Sequence, residues 1–532
     1  MAKTLHKRAH LEIQTHRKNP IGIVRTSFRE NGKTRHMELG RITGVGYDKL
    51  KLVQAALQGN VVPTSGFKIV SSREYGASKA ILDLAKELGL DKMIYSRTSE
   101  HWVKCSLAMV IGRLAYPGSS KFALSHCGAY SALWKICGVD EEGLSVEACC
   151  HGPMDKLLAR QGKIQKALVD KRLGEGCLVL YDIASSCMEG GFEGSDIVKY
   201  GYNRDKKRGK KQVAVSLLCG KGGCPAAVDV FPGNTKDEAT VVGKIGELHK
   251  KYGIEQVVFV GGSGMVTTAQ YEKINHEAVK VVSAPAHAKI KELCGKGVVQ
   301  PGFFDERPIV EVVEGGMRYC LCKNPAIAEK EGRARQALLD KTKEALDKAV
   351  NSTRKGKNSK EARAGRVLGK HKMAKFVVFN GSGDNLTWSF DEKKIEAEKA
   401  LDGCYAIYTD VDEASMSAVE VVESFKGLAS VEKAFRRMEM RPCFHRTDPG
   451  IECHVFICML AYYLMWHMGQ RLQPLYAQGG VGGKRKYTFG YVIESLKAIR
   501  ENVASIEGMP VPVITEPNDE QEFIKFLLEN PA

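Results

Sequence analysis

Two acidic residues in this sequence have the type and the setting that metal-assisted phosphoryl transfer needs. Asp182 follows the apolar run 177–181, which predicts a short buried strand that ends in a carboxylate. Glu432 lies in the segment 421–438, which predicts a helix with an apolar stripe. A carboxylate on an apolar helix face costs free energy unless it is paired or bound to a metal ion. The stripe that Glu432 shares consists of Val421, Phe425, Leu428 and Phe435.

A pair of carboxylates suits the binding of divalent cations. Mg²⁺ and Mn²⁺ prefer oxygen ligands, and a two-metal site stabilises both the attacking and the leaving oxygen of a transferred phosphoryl group. The alternative interpretation is structural: Asp182 ends a strand, and Glu432 forms a buried salt bridge with Arg436. Spacing alone leaves both interpretations open.

A third acid is absent from the strand that lies between these two residues in the sequence. The apolar run 256–260 predicts a strand, and the residues that follow it are Gly261, Gly262, Ser263 and Gly264. This turn lacks the Lys-Ser/Thr ending of a phosphate-binding P-loop, which excludes that type of nucleotide site. Two nearby acids are not expected to substitute, because Asp229 lies inside a predicted strand and Asp237 at a helix start.

Secondary-structure patterns indicate how these residues are positioned. Three strands (177–182, 212–219 and 226–231) precede a helix that begins with a capping box at 235–238, and the strand 256–260 follows. Helical spacing dominates residues 71–172. Between 270 and 410 the pattern changes to short strands, a charged helix at 333–350 and a hairpin at 376–390, before a strand at 404–409.

Charge and cysteine content narrow the class of protein. The 532 residues carry a formal net charge of +17, which favours a polyanionic partner such as nucleic acid. Sixteen scattered cysteines do not form a disulfide pattern, and residues 1–18 lack the apolar core of a signal peptide. The longest apolar stretch, 455–468, is too short to span a bilayer. We therefore predict a cytoplasmic protein that is not associated with a membrane.

Basic segments are candidates for contact with DNA phosphates. One such run lies between two predicted strands, and its alternative interpretation is a solvated loop. A second, 351–375, has the same two interpretations, and DNA contact is favoured there. The group Cys443, His445, Cys453, His454 and Cys458 fits no standard zinc spacing, so zinc is not expected. The first run comprises Arg204, Lys206, Lys207, Arg208, Lys210 and Lys211.

In combination, several short motifs resemble DDE transposases of bacterial insertion sequences, in the IS-four superfamily branch with a long insertion before the last acid. The resemblance covers nearly the whole chain. The motifs that carry the resemblance are Tyr181-Asp182-Ile183 with Glu189-Gly190, Gly201-Tyr202-Asn203-Arg204-Asp205, Gly233-Asn234-Thr235 with Asp237, Val260-Gly261 with Gly264-Met265, Arg318-Tyr319 with Cys322-Lys323-Asn324-Pro325, Val431-Glu432 with Ala434-Phe435-Arg436, Arg441-Pro442 with His445, and His454-Val455-Phe456 with Leu460-Ala461-Tyr462-Tyr463.

This resemblance implies a fold and an activity. The fold is α/β: an RNase H-like core, in which a mixed sheet is flanked by helices, with a β-containing insertion domain and a helical N-terminal domain. The activity is metal-dependent cleavage and strand transfer of double-stranded DNA at the terminal inverted repeats of an element, by a homodimer associated with the nucleoid. Asp182 and Glu432 carry over as catalytic residues and ligands of Mg²⁺ or Mn²⁺, and Arg436 and His445 as phosphate contacts.

The implied domains follow the same resemblance. They are a basic N-terminal segment (1–65), a helical DNA-binding or dimerisation domain (66–175), the first part of the core (176–269), the insertion (270–402), the second part of the core (403–475) and a C-terminal tail (476–532).

The sequence departs from the family at functional positions. The family's middle aspartate and the arginine after it fall on Gly262 and Ser263, and the Tyr, Arg and Lys that accompany the last acid fall on Phe425, Leu428 and Glu439. Glycine supplies no ligand, so one alternative is a DNA-binding relative with impaired catalysis. Another is a nuclease unrelated to transposition.

Overall fold

The computed structural model describes most of the chain. The described residues are 5–15, 19–30, 33–59, 67–117, 130–173, 177–202, 209–236, 257–262, 279–285, 309–351, 359–478, 486–506 and 509–530, with the single positions 240, 243, 271, 289, 290, 292, 293 and 296. The predicted helix after residue 235 and the basic residues 204–208 lie outside them.

The N-terminal basic segment contains a small antiparallel sheet. Strands β1 (Leu5–Gln14), β2 (Ile21–Glu30) and β3 (Lys33–Ile42) pair in that order, and helix α1 (Tyr47–Leu57) packs on β1. Leu11, Ile23 and Leu50 are buried between the sheet and the helix and form a small core. The basic charge of this segment did not indicate that core.

The helices predicted for 71–172 are present and form one compact group. Their apolar residues join the largest buried cluster of the protein, together with residues of the C-terminal half. The helices are α2 (Gly76–Glu87), α3 (Leu90–Ile94), α4 (His101–Ala115), α5 (Leu133–Ile136), α6 (Gly152–Ala159) and α7 (Gln161–Arg172), and a π-helical turn (Glu147–His151) precedes α6.

The predicted C-terminal tail is instead an ordered part of the helical N-terminal domain. Its strands β15 (Arg500–Ile506) and β16 (Met509–Ile514) form a sheet with β4 (Phe67–Glu74) in the order β16–β15–β4. Two helices flank these strands, α15 (Phe489–Lys497) and α16 (Asp519–Glu529), and both contact α2. The prediction of a tail was wrong because the partner of β15 lies more than 400 residues away in sequence, where no local pattern indicates it.

An eight-stranded mixed sheet forms the centre of the molecule. Its order is β10–β11–β14–β9–β8–β5–β6–β7. The strands β5, β6 and β7 are antiparallel, whereas β8 is parallel to β5, and β9 is parallel to β8. The bounds are β5 (Cys177–Cys187), β6 (Gln212–Cys219), β7 (Pro225–Pro232), β8 (Val257–Gly261), β9 (Val279–Ser283), β10 (Ile309–Glu314), β11 (Met317–Lys323) and β14 (Cys404–Thr409).

The region predicted as an insertion contributes both to this sheet and to a separate small core. Strands β9, β10 and β11 extend the central sheet, so the sheet does not end at the predicted boundary near residue 270. The remainder buries Leu346, Leu368 and Phe376 among its own residues. That part comprises α8 (Pro325–Val350), α9 (Lys360–His371), the hairpin β12 (Val377–Asn380) and β13 (Thr387–Phe390), and α10 (Glu392–Lys399).

Helices cover one face of the central sheet and join it to the N-terminal helices. They are α11 (Ala418–Lys426), α12 (Leu428–Met438), α13 (Asp448–Arg471) and α14 (Gln473–Tyr476). Helix α13 contacts β7, α4, α6 and α12. By length and composition it is the one helix among the described residues that could cross a membrane, but 83% of its apolar window is buried inside the fold. This degree of burial is that of a core helix.

Candidate carboxylate site and its basic surroundings

Asp182 lies in the middle of a strand rather than at its end. Strand β5 continues to Cys187 because its outer half pairs with β6, from Leu180 opposite Cys219 to Cys187 opposite Gln212. The Asp182 side chain is half-buried, and its Oδ1 accepts a hydrogen bond from the Ile183 backbone N–H at 2.8 Å. The predicted strand end was wrong because Asp182 interrupts the apolar run and the polar Ser185 and Ser186 hide the continuation.

Gly262 stands beside Asp182 on the neighbouring parallel strand. Tyr181 pairs with Gly261 in the last register position of β5 and β8, so the next residues of the two strands are Asp182 and Gly262. The end of β8 is held by Ser283, whose hydroxyl donates to the carbonyls of Gly261 and Gly262 at 3.2 and 3.3 Å. A side chain at position 262 would therefore begin next to the Asp182 carboxylate.

The alternation of strand residues places Asp182 on the helix-covered face of the sheet. Leu180, two residues earlier, belongs to the core beneath α11 and α12, whereas Tyr181 belongs to the core of the opposite face. Val260 shares the face of Leu180, and Gly262 follows it by two residues. Asp182 and Gly262 thus point toward the same layer of helices.

Asp229 is on the other face and cannot replace the missing acid. It pairs with Ser216, which pairs in turn with Ile183, and Ile183 is buried in the opposite core. The Ser216 hydroxyl donates to the Asp229 carboxylate at 3.3 Å. The second acid considered from the sequence, Asp237, lies outside the described residues.

Glu432 is exposed, which corrects the prediction that it lies on an apolar helix face. The segment 421–438 forms two helices that meet at Gly427, and the second buries Leu428, Val431, Ala434 and Met438. Glu432 is turned by about 100° from Val431, so it lies beside the buried stripe with its side chain 63% exposed. Its contact with Arg436, at 3.9 Å, is a surface ion pair and not a buried salt bridge.

Helix α12 is held close to β5 and to the turn between β6 and β7. Gly427 approaches the Leu180 side chain, and a Cβ on Gly427 would lie 3.5 Å from its methyl groups. Gly223 lies in the turn with a φ of +80°, and a Cβ there would meet the Ser430 Oγ at 2.7 Å. These close approaches fix the helix that carries Glu432 over the face that carries Asp182.

Two of the other positions that depart from the family's motif, Leu428 and Phe425, are part of the protein's packing. Leu428 is 8% exposed and lies in the main core, and Phe425 packs against the same core. Glu439 ends α12 in a left-handed conformation and is exposed. Apolar side chains that are buried in this way do not contact phosphate.

The donor set does not fit a two-metal centre. Two bound cations need carboxylates that reach both ions, and the described residues offer Asp182 and an exposed Glu432, with a glycine at the third position. Across the described ranges, no group of three or more potential ligands that lie close together includes either acid.

Two of the predicted DNA-contacting lysines lie near the end of β5. The Lys210 Nζ is 2.7 Å from the Glu189 carboxylate, and this exposed ion pair raises the pKa of Lys210. The Lys211 Nζ lies over the Tyr200 ring at 5.9 Å from its centre. Arg204, Lys206, Lys207 and Arg208 lie outside the described residues, so their prediction remains untested.

Two arginines that were not singled out from the sequence contribute to the same surface. Arg446 donates to the Glu189 carbonyl at 2.9 Å and lies over the Phe192 ring. Arg441 is near enough to Lys210 to lower that lysine's pKa, against the stronger effect of Glu189. Both arginines flank the segment 442–445, which belongs to a motif of the resemblance. This proximity to the motif was the sequence signal that could have indicated them.

The start of α13 fixes the loop that carries these groups. Asp448, in the first turn of the helix, accepts hydrogen bonds from the Ser195 hydroxyl at 2.5 Å and from the Asp196 backbone N–H at 2.8 Å. Together with Arg446 it holds residues 189–196 against the helix. The basic surface is therefore attached to a rigid element.

His445 does not carry a positive charge at neutral pH. Burial, followed by the neighbouring His454 and His151, lowers the pKa of His445 to about 4. Its predicted phosphate contact is thus limited to a neutral N–H donor. Beside it, the His454 Nε2 lies 3.1 Å from the Met440 carbonyl and 3.7 Å from the Cys458 sulfur.

No family model matches the sequence, and no curated protein matches it. The chain is similar to a solved structure, the cryo-EM structure of piggyBac transposase synaptic complex with hairpin DNA. The similar region covers 79% of this chain and 76% of the chain in that structure. The sequence identity is 9% and the TM-score is 0.36, and a similarity of that size carries no argument about this chain.

Proposed function

We propose that this chain is a DNA-binding protein of the DDE transposase type whose catalytic centre keeps two of three acids. The observation that carries the proposal is the register of β5 and β8, which brings Gly262 next to Asp182 on the face covered by α12. Three antiparallel strands followed by two parallel ones is the order expected for an RNase H-like core. Two motifs of the resemblance, Tyr181-Asp182-Ile183 and Val260-Gly261, lie on β5 and β8 of this core.

The proposed partner is double-stranded DNA, bound by a homodimer in the nucleoid. The net charge of +17 supports attraction to a polyanion. Lys210, Arg441 and Arg446 gather around the loop that follows β5, the strand that carries Asp182, and supply local cations. The family's activity includes strand cleavage with Mg²⁺ or Mn²⁺. We expect this cleavage to be weakened in the present chain, because the middle carboxylate is missing.

DNA binding is tested by the salt dependence of affinity. We expect the full chain to bind a duplex made from the flanks of its own gene, with an affinity that falls steeply between about 50 and about 200 mM salt. Lys210→Ala should reduce the slope of log affinity against log salt by about one, because one phosphate contact is lost. Fluorescence anisotropy measures both.

Lys166→Ala is the matched control for this substitution. Lys166 forms an ion pair with Asp170 and has a similar exposure, but it lies on α7, away from the proposed surface. An unchanged slope in Lys210→Ala, or equal effects of both substitutions, would contradict the proposed DNA surface.

Cleavage is tested by restoring the missing acid. With Mg²⁺ or Mn²⁺, the unaltered chain should cut the duplex far more slowly than Gly262→Asp. In the Gly262→Asp background, Asp182→Asn should abolish cutting, whereas Asp229→Asn, on the opposite face, should leave it intact. Cleavage by the unaltered chain that depends on Asp182 and is as fast as that of Gly262→Asp would show the impaired-centre proposal to be wrong.

A further inference from the structure

A group of sulfur and nitrogen ligands lies in the helical N-terminal domain, far along the chain from the acids. His101, Cys105 and Cys149 each offer a ligand atom, and these three atoms all lie within 4.8 Å of one another. The Cys105 sulfur is 3.4 Å from the His101 Nε2. Cys105 and Cys149 are buried, and His101 is exposed.

The elements of this region direct the ligands to one point. His101 and Cys105 are four residues apart on α4, so they lie on the same helix face, one turn apart. Cys149 comes from the π-helical turn Glu147–His151. Such turns are rare and occur often at functional sites, because the wider turn redirects side chains.

Two further buried thiols, those of Cys150 and Cys137, lie in the neighbourhood of this group. Burial raises the pKa of the Cys105 thiol, and the neighbouring thiols of Cys149, Cys150 and Cys137 raise it further, so all three lie within electrostatic range of its sulfur. Cys150 is fully buried in the π-helical turn, and Cys137 follows α5 with 8% of its surface exposed.

The distances are close to those of a tetrahedral zinc site. Zinc lies about 2.3 Å from a cysteine sulfur and about 2.0–2.1 Å from a histidine nitrogen, which gives edges of about 3.8 Å between two sulfurs and about 3.6 Å between sulfur and nitrogen. The observed 3.4 Å between His101 and Cys105 matches such an edge. Small side-chain rotations bring the third ligand into the same geometry.

Packing alone does not account for this arrangement. Buried cysteines often act as small apolar residues, as Cys320 does within the central sheet. Here the ligand atoms of two buried cysteines and an exposed histidine lie within 4.8 Å of one another, and the histidine, at the start of α4, points its Nε2 at a buried sulfur. The exposed histidine also gives a cation a path from solvent to the buried thiols.

We propose that His101, Cys105 and Cys149, with Cys150 or Cys137 as the fourth ligand, bind a zinc ion that ties the start of α4 to the π-helical turn. The site is structural, because four protein ligands close the tetrahedral coordination sphere. Cysteines bind as thiolates, so binding releases protons and the cation compensates for burying the negative charge.

The experiment uses the full chain, reduced and freed of metal, with Co²⁺ as a spectroscopic probe and Zn²⁺ as its competitor. We expect thiolate-to-cobalt charge-transfer absorption that saturates at about one equivalent and disappears when zinc is added. His101→Ala should weaken zinc binding by at least about tenfold, since even the loss of an outer contact to a ligand has effects of that size. His101 is exposed, so this variant should remain folded, which circular dichroism checks.

His151→Ala is the matched control. His151 lies in the same π-helical turn, is exposed, and pairs with Glu147 at 3.1 Å instead of facing the cysteines. It should bind zinc like the unaltered chain. The proposal is overturned if the reduced chain gives no cobalt–thiolate absorption, if both histidine variants bind zinc equally, or if peptide mapping finds a Cys105–Cys149 disulfide in place of the metal.

Discussion

At the scale of single residues, Gly262 stands where the proposed three-acid centre would need a carboxylate. Asp182 lies on β5, and Gly262 is the residue directly after the neighbouring parallel strand β8. The sequence predicted both positions because each follows a short apolar strand. It did not predict the exposure of Glu432, because the break at Gly427 changes which side of the second helix faces the core.

The buried histidine His454 makes stability depend on pH. Burial and the nearby Arg113 lower its pKa to about 4, against an ordinary value of 6.5. Protonation therefore favours the unfolded state: the stabilisation is complete above pH 6.5 and is lost as the pH falls toward 4. We expect the free energy of unfolding to decrease across this window, with a slope of up to about 1.4 kcal/mol per pH unit from this one group.

Denaturant unfolding at several pH values measures this slope. His454→Gln keeps a donor for the Met440 carbonyl but does not titrate, so its slope should be shallower than that of the unaltered chain. His10→Gln, in the small N-terminal sheet, is the control and should leave the slope unchanged. Equal slopes in all three proteins would contradict the assignment.

At the scale of elements, local patterns predicted the hairpins better than the long-range pairings. The β6–β7 hairpin and its glycine turn are confirmed, because two short apolar runs and the adjacent glycines between them specify both strands and their connection. The pairing of β14 with β9 and β11 joins segments far apart in sequence. Such register depends on packing over the whole sheet, which no short pattern encodes.

The glycine turn of this hairpin allows a specific test of how α12 is held. Gly222 and Gly223 both have positive φ, of +75° and +80°, so alanine strains the backbone similarly at each. At Gly223 a Cβ would also lie 2.8 Å from the Ser430 Cβ, whereas at Gly222 the nearest atom, on Trp466, is 3.7 Å away.

We therefore expect Gly223→Ala to lower the free energy of unfolding by about 1–3 kcal/mol more than Gly222→Ala, the usual effect of overpacking. Chemical denaturation of both variants gives the difference. Ser430→Gly should recover part of the loss in Gly223→Ala alone. If the two alanine variants are equally stable, close packing of α12 on the turn is not a significant constraint.

At the scale of the whole molecule, segments from the two halves of the chain complete one domain. Glu501 on β15 is 7% exposed and contacts two cations from the N-terminal half, the Lys135 Nζ at 2.7 Å and an Arg73 guanidinium nitrogen at 3.0 Å. Burial acts to raise the pKa of Glu501, but these two cations hold it below its ordinary value.

Removal of this carboxylate should loosen the whole domain. We expect Glu501→Ala to lower the free energy of unfolding by about 1–3 kcal/mol, because two cations lose a shared partner in a partly buried place. Glu494→Ala, which breaks the exposed pair with Lys497, should change it by less than about 0.5 kcal/mol. Limited proteolysis should then cut the Glu501→Ala variant faster in both the N-terminal and the C-terminal segment of this domain. Cutting confined to the C-terminal strands would contradict a domain that both segments form together.

The pairing of β4 with β15 also has a consequence for the order in which the protein is made. The Ser72 hydroxyl donates to the Asn502 side chain, which lies 430 residues further along the chain. Ribosomes add about 5–20 residues per second, so β4 emerges roughly 20–90 s before its partner strand exists. During that interval its hydrogen-bonding edge and the adjoining surface of α2 are uncovered on the nascent chain. The domain that contains β4 leaves the ribosome early and is thus among the last to finish folding.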